Sequence, residues 1–213
     1  MDKKCLIFAA GEYFEPAPRI NSGDYIIAVD GGYDYLHSIG IAPDMAVGDF
    51  DSAMSAPPDS ITKRLAVEKD DTDTAAAISI ALEKGFTALH IYGGTGGRLD
   101  HTLANIQCLA GLADKSCIGF LHGQDTVITA IKNKSLRFPS GGHGMVSVFS
   151  HSNESTGVFE TGLKYSLDNA TLQNSVCLGI SNELTCSPAC ISVVCGTLVI
   201  MYPAGTEVSI CSI

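Results

Sequence analysis

Basic residues are scarce in this chain. Among 213 residues, 13 are Lys or Arg against 23 Asp or Glu, for a formal net charge of −10. That balance argues against partners built on phosphate backbones or anionic membrane surfaces. Long apolar runs are also missing. The longest, Ile191 to Tyr202, is broken by Ser192, Gly196 and Thr197, whereas a membrane-spanning helix needs about 20 residues. The run Cys5 to Ala10 is shorter than the ~7–15 residues of a secretory core and is read as a first β-strand. No Cys-x-x-Cys pair occurs among the 8 cysteines, and Cys186, Cys190 and Cys195 have no nearby His to complete a zinc set. Reduced thiols in a cytoplasmic protein are therefore expected. Tryptophan is absent altogether.

What remains is an ordinary globular composition, 46% hydrophobic and 17% charged, long enough for one large domain or two small ones. The acid is concentrated early: residues 1–130 hold 18 acids and 9 bases, residues 131–213 hold 5 and 4. The early part alternates strand, loop and helix. Expected strands are Cys5–Ala10, Tyr25–Val29, Met45–Val47, Leu65–Val67, Ala88–Tyr92, Cys117–Leu121 and Val127–Ile131. Most are short continuous apolar runs, suited to strands buried on both faces. Helices are expected over Tyr33–Ile39, over Thr74–Lys84 with Gly85 after its end, and from about Arg98–Asp100 onward. In the last, Leu99, Leu103, Ile106, Ala110 and Ala113 form one apolar face. The fold class is therefore α/β, a mostly parallel Rossmann-like sheet with helices on both faces. Near Asn133 the pattern changes to short alternating stretches broken by turn residues, including Met145–Phe149, Gly157–Phe159, Thr171–Leu172 and Cys190–Tyr202. These predict a C-terminal antiparallel β-sandwich. The domains are expected at 1–132 and 133–213.

Four strand-to-loop junctions carry chemistry. Gly48-Asp49-Phe50-Asp51-Ser52 follows the strand Met45–Val47. In extended backbone Asp49 and Asp51 point to one side, and two close carboxylates call for a cation. Oxygen-only ligands suit Mg²⁺. A polar turn with Asp as a cap is the plainer alternative. Asp70-Asp71-Thr72-Asp73 opens the helix at Thr74. Thr72 or Asp73 serves as N-cap, and the remaining acids exceed what one cap needs. Gly93-Gly94-Thr95-Gly96-Gly97-Arg98-Leu99-Asp100-His101 lies between a strand and a helix. Its glycines, Gly94, Gly96 and Gly97 among them, let backbone N–H groups approach phosphate, and Arg98 can grip one in bidentate fashion. It lacks the Gly-Lys-Ser/Thr of a Walker A loop. Asp30-Gly31-Gly32 repeats the geometry after Tyr25–Val29. In a parallel sheet all four loops fall along one edge, which describes a metal–phosphate site. His37, His90, His122, His143 and His151 read as surface or satisfied core histidines.

These motifs, with Asn105, and in the second half Gly162-Leu163-Lys164-Tyr165 and Gly179-Ile180-Ser181-Asn182-Glu183, resemble in order and spacing the thiamine pyrophosphokinase family. The resemblance covers nearly the whole chain. It implies ATP as co-substrate, Mg²⁺, and transfer of a pyrophosphoryl group to the hydroxyl of thiamine, giving thiamine diphosphate and AMP. It implies a homodimer with active sites between the α/β domain of one subunit and the sandwich of the other. Asp49, Asp51 and Asp73 would hold the metal. Asp30, Gly31, Gly94, Gly96, Gly97 and Arg98 would bind the nucleotide. Asp100, Asp73 and Arg98 would act in catalysis, with Asp100 or Asp73 orienting or deprotonating the hydroxyl. Ser181, Asn182, Asp100 and Asn105 would bind thiamine. The stretch Leu184-Thr185-Cys186-Ser187 carries no aromatic residue where related proteins often place one. A two-metal phosphohydrolase and a non-catalytic thiamine or nucleotide binder are the competing readings.

Overall fold

The computed structural model describes residues 4–50, 55–65 and 71–213. Two compact units divide the chain, Met1–Cys108 with Gly119–Gln124 and Leu109–Ile118 with Asp125–Ile213. The sequence boundary at 132/133 falls inside the second unit.

The first unit contains β1 (Cys5–Phe8), β2 (Tyr25–Val29), α1 (Gly32–Ser38), β3 (Met45–Gly48), β4 (Thr62–Arg64), α2 (Asp73–Glu83), β5 (Ala88–Tyr92), the start of α3 (Leu99–Asp114) and most of β6 (Ile118–His122). Its sheet order is β4–β3–β2–β1–β5–β6. From β4 through β5 every neighbouring pair is parallel. The chain moves outward from β1 to β4, then returns to the other side of β1 to form β5. The carboxyl ends of β1 and β5 thus flank a topological switch point, the usual place for a ligand in an open α/β sheet.

Leu6, Phe8, Ile26, Ala28 and Ala46 share one face with Leu36 of α1. The intervening Cys5, Ile7, Ile27 and Val47 are equally buried, and α2 packs against β1, β2 and β3. Strand side chains alternate between faces, so continuous apolar runs are what a sheet covered on both sides requires. Thr72 caps α2, its hydroxyl accepting the Ala75 N–H at 3.1 Å. The helix ends with Gly85 N–H donating to Leu82 O and Phe86 N–H to Ala81 O, the Schellman pattern that favours glycine.

Two expectations change. The fourth strand is Thr62–Arg64 rather than Leu65–Val67, and Ala66 and Val67 lie outside the described residues. At the sheet edge β4 pairs, among the described residues, only with β3, and edge strands tolerate charges such as Lys63 and Arg64 that a central strand would not. The single apolar face of α3 holds only toward its C-terminal half. Leu109, Ala110, Leu112 and Ala113 are buried, but Leu99 is 81% and Leu103 57% exposed.

Across β1, β5 and β6 an aromatic row runs from Phe8 through Tyr92 and His122 to His90 and Phe120, with ring centroids 4.3–5.4 Å apart. His90 Nδ1 and His122 Nε2 form a hydrogen bond at 2.9 Å. Burial pushes the pKa of His90 down to about 4 and that of His122 to about 3, so this pair is a neutral, satisfied one.

The second unit is all-β from Thr126 on: β7 (Thr126–Lys132), β8 (Lys134–Phe138), β9 (His143–Ser150), β10 (Glu154–Thr161), β11 (Leu167–Gln173), β12 (Gly179–Thr185), β13 (Ala189–Cys195), β14 (Thr197–Pro203) and β15 (Ser209–Ser212). Antiparallel strands β7–β14–β9–β12 form one layer, and β11–β10–β13–β8–β15 form the other. Val146, Val148, Leu198 and Ile200 from the first layer, with Leu136, Phe138, Val158, Ile191 and Val193 from the second, are buried. Phe138 meets Tyr202 edge-on at 5.7 Å.

The apolar stretch from Cys190 to Tyr202 is two strands in different layers, divided at Gly196. The chain also changes layer at Asn133, and the two corners are joined: Gly196 N–H donates to Asn133 Oδ1 at 3.0 Å, and Asn133 N–H to Gly196 O at 3.3 Å. All 8 cysteines are free thiols. Among the described residues no helix is long and apolar enough to cross a membrane.

Candidate active site

A cleft of about 470 Å³ opens at the switch point, within the range of small-molecule sites. It is lined by Ala9–Gly11 after β1, Val29 and Asp30 at the end of β2, Thr72–Thr74 at the start of α2, the glycine loop after β5, and Arg98, His101 and Asn105 leading into α3.

Main chain builds the wall between β1 and β5. Ala9 N–H donates to Tyr92 O at 2.8 Å, Gly11 N–H to Gly93 O at 2.7 Å, and Glu12 N–H to Thr95 O at 3.0 Å. The two loops are so close that a Cβ on Gly11 would lie 2.5 Å from Gly93 O. Asn105 is buried and its Nδ2 donates to Gly94 O at 2.8 Å, fixing the loop's path to α3. Glu12 Oε1 accepts the Gly97 N–H at 3.2 Å.

Six residues assigned to catalysis or nucleotide binding line the cleft: Asp30, Asp73, Gly94, Gly96, Gly97 and Arg98; so does Asn105. Because Thr72 does the capping, Asp73 sits in the first turn of α2 as a cleft residue. Asp100 and Gly31 are not cleft-lining. Asp100 is paired with Arg98: Arg98 Nη2 donates to Oδ2 at 2.6 Å and Nε to Oδ1 at 3.2 Å. That hydrogen bond, more than any other cause, lowers the Asp100 pKa and raises that of Arg98. Gly31 is the N-cap residue of α1. Asp49 is half-buried directly after β3. Asp51 and Asp70 lie outside the described residues.

Among the described residues no group of three or more His, Cys, Asp or Glu is arranged as a metal cage. The donors that the cleft does present suit a hard cation: carboxylates of Asp30 and Asp73, hydroxyls of Thr72 and Thr74, and no thiolate.

In the second unit, Ser181 lies on β12 with φ +60 and is exposed. Asn182 is 4% exposed. Its Nδ2 donates to Glu160 Oε2 and to Tyr165 O, both at 2.7 Å, and its Oδ1 accepts from the N–H of Tyr165 and of Glu183, both at 2.9 Å. An amide has two donor hydrogens and two acceptor lone pairs, so this side chain has no capacity left for a ligand. Through these bonds it supports its neighbours. Tyr165, whose main chain it clamps at both polar groups, is 62% exposed.

Sequence reasoning missed the loop after β1, Thr74 and Glu160. Ala9-Ala10-Gly11, small residues at the end of an apolar strand, was the available signal for the first. Nothing in the sequence distinguishes Glu160.

Residues 18–120 match the model of the thiamin pyrophosphokinase catalytic domain, and residues 134–198 that of the thiamin pyrophosphokinase vitamin B1 binding domain. Thiamine pyrophosphokinase of Bacillus subtilis (strain 168) is 34% identical over 190 residues, covering 82% of this chain and 85% of the relative. The crystal structure of the Bacillus subtilis enzyme matches with a TM-score of 0.84 at 30% identity, over 94% of this chain and 99% of that one. That of yeast thiamin pyrophosphokinase, at 16% identity over 94% of this chain and 86% of that one, shares the fold with a TM-score of 0.70. The chain belongs to the thiamin pyrophosphokinase family.

Proposed function

We propose that this protein transfers the pyrophosphoryl group of ATP to the hydroxyl of thiamine, yielding thiamine diphosphate and AMP. Membership of the family makes the chain a thiamine pyrophosphokinase. The observation that carries the assignment of substrates to residues is the cleft at the β1/β5 switch point, where a main-chain wall meets Asp30, Asp73 and Arg98.

The triphosphate lies along the glycine loop, with backbone N–H groups and the N-terminus of α3 facing its oxygens. Arg98 neutralises charge on the phosphates and, by holding Asp100, sets the position of that carboxylate. Asp49, Asp51 and Asp73 are the residues suited to hold Mg²⁺, which when bound screens the phosphates and orients them for in-line attack. The thiamine hydroxyl oxygen bonds to the β-phosphorus as the bond from that phosphorus to the α–β bridging oxygen breaks, and AMP departs. Asp100 accepts the hydroxyl proton. Ser181 and Tyr165 come from a second subunit of a cytoplasmic homodimer. With no Trp in the chain, the exposed ring of Tyr165 is the aromatic surface available to the pyrimidine.

Incubation with thiamine, ATP and Mg²⁺, followed by chromatography, tests this. Thiamine diphosphate and AMP should form together. Thiamine monophosphate with ADP would overturn the reaction. Nucleotide cleavage independent of thiamine would favour the phosphohydrolase, and binding without turnover the non-catalytic binder.

A further inference from the structure

The sandwich contains one carboxyl group that packing alone does not account for. Glu160, in β10, is 1% exposed. Burying a carboxyl group is costly unless its hydrogen-bonding capacity is met. Its Oε2 accepts from Asn182 Nδ2 at 2.7 Å, while among the described residues Oε1 has no hydrogen-bond partner. Burial raises the Glu160 pKa, and the Asn182 bond opposes that rise. β10 belongs to one layer and β12 to the other, so the Glu160–Asn182 bond is a polar tie through the core.

What the tie controls lies at the surface. Accepting from Nδ2, the Glu160 carboxyl favours one of the two ways the Asn182 amide can be turned. Only that orientation places Oδ1 against the N–H groups of Tyr165 and Glu183. One residue before, β12 carries one more residue than β9 between the pairs Gly179↔Val148 and Asn182↔Val146. That is a bulge. Ser181 occupies it at φ +60, its N–H donating to Ser147 Oγ at 3.1 Å. A non-glycine residue in that region persists only where its surroundings hold it. Asn182 is the anchor on one side, and Tyr165 hangs from the same anchor.

We infer that Glu160 is a positioning residue for thiamine: by orienting the Asn182 amide it fixes Ser181 and Tyr165 in the arrangement that receives the substrate. This rests on the thiamine kinase reading given above.

The test is steady-state kinetics on the full-length enzyme. Glu160→Leu keeps the volume and removes the acceptor. It should raise the KM for thiamine at least about tenfold and leave the KM for ATP within about twofold, with Tm lowered because a buried N–H of Asn182 loses its acceptor. Glu160→Gln, which can still accept from Asn182, should restore most of the thiamine KM. Val158→Ala, a fully buried change in the same strand, should lower Tm without moving the thiamine KM. If Glu160→Leu does not fold, Asn182→Asp serves in its place: it sets a carboxylate against Glu160 and should show the same selective rise. An unchanged thiamine KM in the folded variant, or one that moves equally in Val158→Ala, overturns the inference. If the wild type forms no thiamine-dependent AMP, the substrate reading fails and the inference falls with it. If the wild type is active and the variants match it, only the inference fails.

Discussion

Asp30 occupies the space that a side chain at Gly48 would need. A Cβ on Gly48 would stand 1.8 Å from Asp30 Oδ1. Gly48 has φ +150, and Asp30, at φ +46, donates its N–H to Val47 O at 3.1 Å. The glycine that ends β3 is what lets the carboxylate that ends β2 reach the cleft. Gly48→Ala should displace Asp30, cost about 1–3 kcal/mol of stability, and lower kcat/KM for ATP about tenfold or more. Denaturant melts and AMP release measure both, and a variant matching wild type in activity would remove Asp30 from the site.

Thr72 and Asp73 divide two jobs at the start of α2. Thr72→Ala removes the cap and should cost about 1 kcal/mol. Asp73→Asn leaves the cap in place, so its melting point should stay within a few degrees while kcat falls by about two orders of magnitude. A fall in stability with intact turnover would make Asp73 merely a helix-start acid.

Asn105→Leu leaves Gly94 O without its buried partner. The expected loss is about 1–3 kcal/mol, together with a raised KM for ATP and little change for thiamine. Equal effects on both substrates would contradict the placement of the triphosphate along this loop.

Asp100 is held by Arg98 and also accepts the His101 N–H at 3.0 Å. The Arg98 hydrogen bond lowers its pKa, favouring the carboxylate form. Asp100→Asn should cut kcat by about 10²–10⁴-fold, the usual size of a general-base effect. A near wild-type kcat would exclude it from proton transfer.

Stability should depend on the His90–His122 pair. An exposed imidazole titrates near 6.5, whereas these are lowered to about 4 and about 3 by burial. Above pH 6.5 both states of the chain hold them neutral and the full stability is present. As pH falls from 6.5 toward 4, the unfolded chain binds protons that the folded one refuses, and stability is lost. Lys4 adds to the lowering at both histidines, and Asp24 partly opposes it at His90. Melting temperature followed over pH 7 to 4 should fall, and less steeply in His90→Gln/His122→Gln. Parallel curves would assign the acid sensitivity elsewhere.

Much of the first unit was legible because burial on both faces writes itself as uninterrupted apolar strands: Tyr25–Val29 and Ala88–Tyr92 have the predicted bounds. The strand-end loops were legible for a related reason, since a parallel sheet collects them on one edge. The edge strand β4 was not, because Thr62-Lys63-Arg64 has no core to report. Nor was the layer change at Gly196, where the apolar character continues unbroken while the partner strands change. Asn182 was picked out by the resemblance of Gly179–Glu183 to the family's motif. Its role became visible only with Glu160, 22 positions away in sequence, and no local pattern encodes such a pairing.

The switch-point wall has an evolutionary consequence. A Cβ on Gly11 would run into the carbonyls of Gly93 and Thr95, and one on Gly94 would stand 2.6 Å from Leu121. At Gly11 the obstacle is backbone, which leaves almost no tolerated alternative, while at Gly94 a substitution would need Leu121 to shift, so selection has little there with which to retune nucleotide preference. Divergence toward another triphosphate would have to proceed through the side-chain bearing rim, at Asp30, Asp73, Arg98 and His101, while the floor beneath stayed the same.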